Sequence, residues 1–190
     1  MNIYFDTEFT ELSKHGELIS IGLVDEDNNE FYAEFRLNNI DNVNDFVKEN
    51  VLTNTVLYGN KDAVDIIGDE KNYVYGSKSD IKDALVKWLS KYENVKLVSD
   101  VGHYDMVLFI DIFGTAFDLP ENVCPTYYDI NQDIAQLYDI SIKEAFDVSR
   151  EDMMESFNRY VIGEKHNSLY DAKVIKALYE EMDALKNLLK

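Results

Sequence analysis

Three β-prone apolar runs fall within the first 37 residues, and nothing else in the chain constrains its fold as much. Ile3-Tyr4-Phe5 ends at Asp6, Glu17–Val24 (ELISIGLV) runs into the polar stretch Asp25-Glu26-Asp27-Asn28-Asn29, and Glu30–Leu37 (EFYAEFRL) resumes with aromatics. Branched and aromatic side chains suit a pleated, half-buried surface, and clustered Asp and Asn favour tight reversals. The spacing predicts a three-stranded antiparallel meander. Further along, the periodicity becomes helical. Ser77 or Ser79 can cap a helix reaching about Tyr92, with Ile81, Leu85, Trp88 and Leu89 on one stripe. Val95–Val98 and Tyr127–Ile130 read as strands, and His103–Phe113, Asn131–Tyr138 and Arg150–Val161 as helices. Ser168–Leu189 is the clearest helix, with Leu169, Ala172, Val174, Ile175, Leu178, Met182, Leu185 and Leu189 on a broad apolar face. Asp45–Leu52 reads as a short helix, and the rest of 38–72 as loop. A strand meander followed by alternating helices and strands predicts a mixed α/β sheet with helices on its faces. With no low-complexity linker in 190 residues, positions 1–190 are expected to form a single domain.

Charge and cysteine usage narrow the class. There are 37 acidic residues against 18 basic ones, a formal net charge of −19. Such a charge repels phosphodiester backbones over long range and argues against a large non-specific nucleic-acid surface, though not against a site that holds cations. The single cysteine, Cys124, excludes an internal disulfide framework and a Cys-based zinc site; between Val123 and Pro125 it reads as a small packed residue. No apolar run approaches the roughly 20 residues of a membrane span. MNIYFDTEF has no basic region before Asp6, so no signal peptide is expected and the chain reads as an intracellular, cytoplasmic domain.

Acids are so frequent here that two acidic residues two apart should arise roughly seven times by chance, so the setting of a D-x-E matters more than its spacing. Asp6-Thr7-Glu8 ends an apolar strand. Residues two apart on a strand share a face, so both carboxylates can reach one point. A buried pair of like charges is costly, and Mg²⁺ or Mn²⁺, which favour carboxylate oxygens, removes that cost. The second element, Val98-Ser99-Asp100-Val101-Gly102-His103-Tyr104-Asp105, sits where a strand gives way to a helix, the region where ligands gather in α/β sheets. Asp105 falls in the first helical turn, where it either complements the helix dipole or faces a site. Asp100 reads as a turn residue or an outer group of that site. The third element is His166-Asn167-Ser168-Leu169-Tyr170-Asp171. Five residues advance a helix by about 500°, so His166 and Asp171 cannot share a helical face. His166 must precede the helix, with Asn167 or Ser168 as N-cap and Asp171 in the first turns. A loop imidazole with a pKa near neutrality is suited to accept a proton.

Together, Asp6-x-Glu8, Tyr104-Asp105 and His166-x₄-Asp171 resemble, in order, the three motifs of the DEDDh 3′–5′ exonucleases. YFDTEFTE followed by ELISIGLV is most similar to small bacterial and phage exoribonucleases of the polyadenylate-specific AS type, with ribonuclease T and oligoribonuclease more distant. The resemblance implies a ribonuclease H-like fold with a five-stranded mixed sheet flanked by helices. It implies Asp6, Glu8, Asp105 and Asp171 as ligands of two Mg²⁺ or Mn²⁺ ions, Asp105 through water, and His166 as general base. The implied substrate is a single-stranded RNA 3′ end, or DNA, cut to nucleoside 5′-monophosphates, and a homodimer is admitted. Phe9, beside the first acid pair, could wedge or stack on the terminal base or simply pack in the core. Thr10 and Glu11 could touch the terminal sugar, and Tyr127, Tyr128, Asp129 and Tyr138 could line a substrate groove. Few basic residues imply a grip over only a few nucleotides. The alternatives are a catalytically silent relative, another metal-dependent phosphohydrolase, and an acidic protein that mimics nucleic acid, for which carboxylates spread over the outside would suffice.

Overall fold

The computed structural model describes residues 1–13, 15–37, 43–57 and 72–188. Strands β1 (Asn2–Phe9), β2 (Leu18–Asp25) and β3 (Glu30–Phe35) form the expected antiparallel meander, with Asp6 opposite Gly22 and Gly22 opposite Tyr32. Three parallel strands complete the sheet: β4 (Asn72–Gly76) on β3, β5 (Val95–Ser99) on β1, and β6 (Val123–Asp129) on β5. The order β4-β3-β2-β1-β5-β6 puts β1 in the interior of the sheet, with paired strands on both sides.

The described helices are α1 (Asp45–Asn50), α2 (Lys78–Leu89), α3 (Gly102–Phe113), α4 (Asn131–Tyr138), α5 (Ile142–Asp147), α6 (Arg150–Ser156) and α7 (Ser168–Leu188). They cover the two faces of the sheet unequally. Ile81, Leu85, Trp88 and Leu89 of α2, with Met106, Phe109, Ile112 and Phe113 of α3, pack under Ile3 and Phe5 of β1. On the opposite face Tyr4 and Val24 meet Ile134 of α4, Met153 and Met154 of α6, and Ala172, Ile175, Leu178 and Met182 of α7. Each fully buried Leu, Ile or Phe contributes about 1.5–3 kcal/mol, so the two clusters fix the alternation of β1 firmly. A one-residue slip would exchange every side chain between them.

Ser77 rather than Ser79 starts α2, because Ser77 and Asp80 form a reciprocal capping box. Several expectations need correction. The sheet has six described strands rather than five: β4 is a half-exposed edge strand (NYVYG) without clear alternation, which hid it among loop residues. The remaining loop assignment over 38–42 and 58–71, and the last helical position Leu189, lie outside the described residues. The strand expected at Tyr127–Ile130 begins earlier, at Val123. Cys124 is exposed rather than packed, since β6 is the other sheet edge and its residues 124–126 face outward. The helix expected over Arg150–Val161 stops at Ser156, where Asn158 takes a left-handed conformation (φ 52°). The short α5, capped by Ser141 and Glu144, was not expected at all. No described helix is long and apolar enough to cross a membrane.

Candidate active site

The alternation that buries Tyr4 on the α7 side of the sheet carries Asp6 and Glu8 to the same side, two and four residues further along β1. Asp171 reaches them from α7 because α7 lies unusually close to the sheet. Opposite Asp6, Gly22 has no side chain, and a Cβ there would lie 2.3–2.4 Å from backbone atoms of Ser168 and Leu169. Only glycine lets the start of α7 cross β2 at that distance. A hydroxyl pair, Ser20 Oγ to Ser168 Oγ at 2.9 Å, pins the crossing, and Asn167 Oδ1 caps the helix by accepting from the amides of Leu169 and Tyr170. As a result, carboxylate oxygens of Asp6, Glu8 and Asp171 lie within 4.8 Å of one another.

Asp105 arrives from the other face. Thr7, pointing away from Asp6 and Glu8, donates to Asp105 Oδ1 at 2.7 Å, and Ser99 at the end of β5 donates to Oδ2 at 2.6 Å. Asp105 is buried and lines the same cleft, but both its oxygens are engaged by hydroxyls and it stands outside the converging trio. A dipole-complementing surface residue would need neither partner.

Electrostatics mark this floor as a place that lacks positive charge. Burial raises all four carboxyl pKa values, and like charge reinforces the effect: Glu8 is pushed to about 8, with Asp171 and Asp105 as the charges that add to burial. Asp6 goes well above the ordinary range, and Asp171 and Asp105 rise to about 7, the latter despite the hydroxyl bonds that oppose the shift. Four hard oxygen donors that resist ionisation next to one another are the donor set that Mg²⁺ or Mn²⁺ satisfies, so the residues fit those ions.

His166 precedes α7, as the 500° argument required. Its side chain is 32% exposed, with Nδ1 3.9 Å from Glu8 Oε1, and its amide donates to Asp171 Oδ2 at 2.9 Å. Burial, followed by the charge of Lys165, lowers its pKa, while Glu151 opposes the shift. The shift favours the neutral imidazole, the form that accepts a proton. Floor and His166 share one open cleft of about 520 Å³.

Phe9 lines this cleft too, half-buried, beyond a register shift that ends regular pairing of β1, with its ring 5.9 Å from Tyr104. Asp100 also lines the cleft, bound to Arg150 Nε at 2.8 Å, which makes it an outer group. Sequence reasoning missed Arg150, Lys165 and Phe146, all of which line the cleft. Arg150 joins Asp100, Asn131 and the carbonyls of Ala145 and Val148, and so ties α4, α5 and α6 together beside the site. Its signal was faint: one of three arginines in the chain, following a Ser cap. Phe146 continues a row of rings from Phe9 through Tyr104 and His103, with centroid spacings of 5.9, 4.6 and 6.0 Å.

Residues 1–182 match the family model described as the 3′–5′ exoribonuclease Rv2179c-like domain. No curated protein sequence matches the chain. Solved structures do. The Mg²⁺- and Mn²⁺-bound form of S. pombe Pop2p is 14% identical with a TM-score of 0.65, over 95% of this chain and 82% of that one. The nuclease domain of 3′hExo, a DEDDh family member bound to rAMP, is 17% identical with a TM-score of 0.64, over 98% and 92%. A 3′-exonuclease recognising the histone mRNA stem-loop is 16% identical with a TM-score of 0.64, over 95% of this chain and 62% of that one.

Proposed function

The chain belongs to the Rv2179c-like 3′–5′ exoribonuclease domain family, and from that premise we propose that its cleft hydrolyses the terminal phosphodiester of single-stranded RNA 3′ ends or short oligonucleotides, releasing nucleoside 5′-monophosphates. The fold is that of the ribonuclease H-like exonucleases, and on this reading residues 1–190 are one catalytic domain. The observation that carries the proposal is the convergence of Asp6, Glu8 and Asp171 within 4.8 Å, with the partly exposed imidazole of His166 beside them.

Each side chain then has a defined task. Asp6, Glu8 and Asp171 would hold divalent cations directly, and Asp105, its oxygens already engaged by Thr7 and Ser99, would contribute through water. Mg²⁺ or Mn²⁺ bound there, two ions by the resemblance, would supply Lewis-acid stabilisation of the attacking and leaving oxygens of an in-line displacement. His166 accepts the proton of the attacking water, because it stands at the edge of the floor with its pKa lowered. Phe9 offers the terminal base an apolar face, and Tyr104, His103 and Phe146 extend that face outward for the next base. With Arg150 spent on Asp100 and Lys165 paired with Glu151, the cleft cations among the described residues offer a grip over a few nucleotides. An acidic mimic has no use for carboxylates gathered at the bottom of a cleft.

Digestion of 5′-labelled single-stranded RNA and DNA oligomers at single-nucleotide resolution, with Mg²⁺, Mn²⁺ or EDTA, tests the proposal. The polyadenylate-specific resemblance makes an adenylate tail the first RNA to try. A metal-dependent ladder shrinking from the 3′ end, lost in Asp6→Ala and His166→Ala, is the expected result. Absence of cleavage with either metal would reject it in favour of a silent relative.

A further inference from the structure

The loop that carries His166 is gripped from behind by a side chain outside the cleft, and we infer that Asn54 is a positioning residue for His166. The inference rests on His166 being the proton acceptor. Asn54 closes the 3₁₀ turn Leu52–Asn54 that follows α1. Its Nδ2 donates to the Lys165 carbonyl at 2.7 Å, and its own backbone carbonyl accepts from Asn167 Nδ2 at 2.8 Å. These bonds hold the residues on either side of His166, across 111 and 113 positions of sequence. The second proton of Nδ2 goes to the Asn50 carbonyl at 2.7 Å, so the amide is fixed to the end of α1 and its donor capacity is used up.

His166 needs such a hold. Its φ of 63° is left-handed, a conformation that a residue with a Cβ keeps only where its surroundings over-determine it. The His166 amide is committed to Asp171, and Asn167 opens α7, so with Asn54 in place residues 165, 166 and 167 are each tied down. Only the torsions of the imidazole itself stay free. Phe46 of α1 limits those, its ring edge-on to His166 with centroids 5.4 Å apart.

The wall behind Asn54 is anchored in turn. Buried Glu34 on β3 accepts the amides of Val56 and Leu57, fixing the residues just after the turn to the sheet. Asn54 itself lines a neighbouring cavity of about 380 Å³ with Tyr32, Tyr73 and Tyr170, not the cleft. Its influence on catalysis must therefore pass through the His166 loop.

Steady-state kinetics on a labelled oligonucleotide with Mn²⁺ test this, using Asn54→Ala and the isosteric Asn54→Asp, which keeps the turn filled but removes the donor. Both should lower kcat by about ten- to a hundredfold while KM stays within about twofold. In a His166→Ala background the same changes should alter kcat by less than about twofold, since no imidazole is left to position. In imidazole NMR spectra of the full chain, the His166 ring signals should broaden or split in the Asn54 variants while those of His15 and His103 hold. Wild-type kcat in Asn54→Asp, an equal loss in both backgrounds, or unchanged His166 signals would overturn the inference. A His166→Ala variant with wild-type kcat would instead reject the role of His166, and the NMR arm still reads whether Asn54 holds the ring.

Discussion

The floor of the cleft and its rim are built on opposite terms. The floor acids come from the interior strand β1 and the first turns of α3 and α7, where Gly22, the Ser20–Ser168 pair and the hydroxyls of Thr7 and Ser99 leave them little freedom. The rim residues His166, Lys165 and Phe146 sit on a loop or a six-residue helix, their backbone tied down around His166 but their side chains partly exposed. The difference teaches where each kind of chemistry can be housed. Like charges can be kept together only by structure too stiff to spread apart, and the cost is one that a cation removes. A proton acceptor needs access to water, and a side chain on a tethered loop at the cleft edge has it.

Neutralising the floor should have the largest effect, and with opposite signs on activity and stability. Asp6→Asn removes a cation ligand without changing volume, so turnover should fall by at least about 10³-fold. In the metal-free protein at pH 8 the same change relieves repulsion among buried carboxylates, and stability should rise by about 1–2 kcal/mol, or roughly 3–8 °C in Tm. Calorimetry beside the digestion assay checks both signs; a less stable Asp6→Asn would mean that this floor is not electrostatically strained.

At the rim, His166→Ala should lower turnover by about 10²- to 10³-fold and leave Mn²⁺ affinity and Tm nearly unchanged. A binding isotherm and a thermal melt check that pair of statements. If Mn²⁺ affinity collapsed as well, floor and rim would be one unit, and the contrast between them would fail.

Metal removal sharpens the comparison through pH. In the metal-free fold Glu8 titrates near 8 and Asp171 and Asp105 near 7, all above their ordinary carboxyl values, so the folded state binds protons more tightly than the unfolded chain. Stability from these groups is therefore present at low pH and is lost as pH rises through that window. His166, with a lowered pKa, acts oppositely below about 6.5, one group against several. EDTA-treated protein should thus lose stability from about pH 4, just above the ordinary carboxyl values, up to about pH 8, where Glu8 has ionised. Mn²⁺ at a hundredfold excess over its Kd should restore about 3 kcal/mol at the upper end. A flat metal-free profile would show that the floor is wetter than its geometry implies.

How much of this was legible in the sequence divides along the same line. The floor could be read because it rests on periodicity: Asp6 and Glu8 follow the alternation of an apolar strand, Asp105 a strand-to-helix junction, and Asp171 the helical wheel that forced His166 ahead of α7. Nothing local foretells that Gly22 must lack a side chain for α7 to approach, since that follows from a contact 147 residues away. The rim was mostly invisible for the same reason. Phe146 lies in a helix too short to show a period, Arg150 matters through carbonyls and an amide on two other helices and the residue that ends one of them, and Asn54 acts across more than a hundred residues. The sixth strand escaped because an edge strand with one half-exposed face carries no strict alternation.

The smallest expected effect tests whether the rim does more than hold His166. Phe146 is 46% exposed and stands at the outer end of the ring series that begins at Phe9 beside the floor. Stacking a base on such a ring is worth about 1–3 kcal/mol, and an exposed ring belongs at the low end. Phe146→Ala should accordingly raise KM about fivefold for a trinucleotide or longer, with kcat unchanged. For a dinucleotide, whose bases reach only the inner rings, the change should be negligible. Phe9→Ala should affect both substrates alike, because its ring adjoins the floor. Equal losses for Phe146→Ala on both lengths would place its role in packing of α5 and end the reading of the rim as a base track. A length-dependent loss would show that floor and rim divide the substrate between them, one holding the phosphate and the other the bases that follow it.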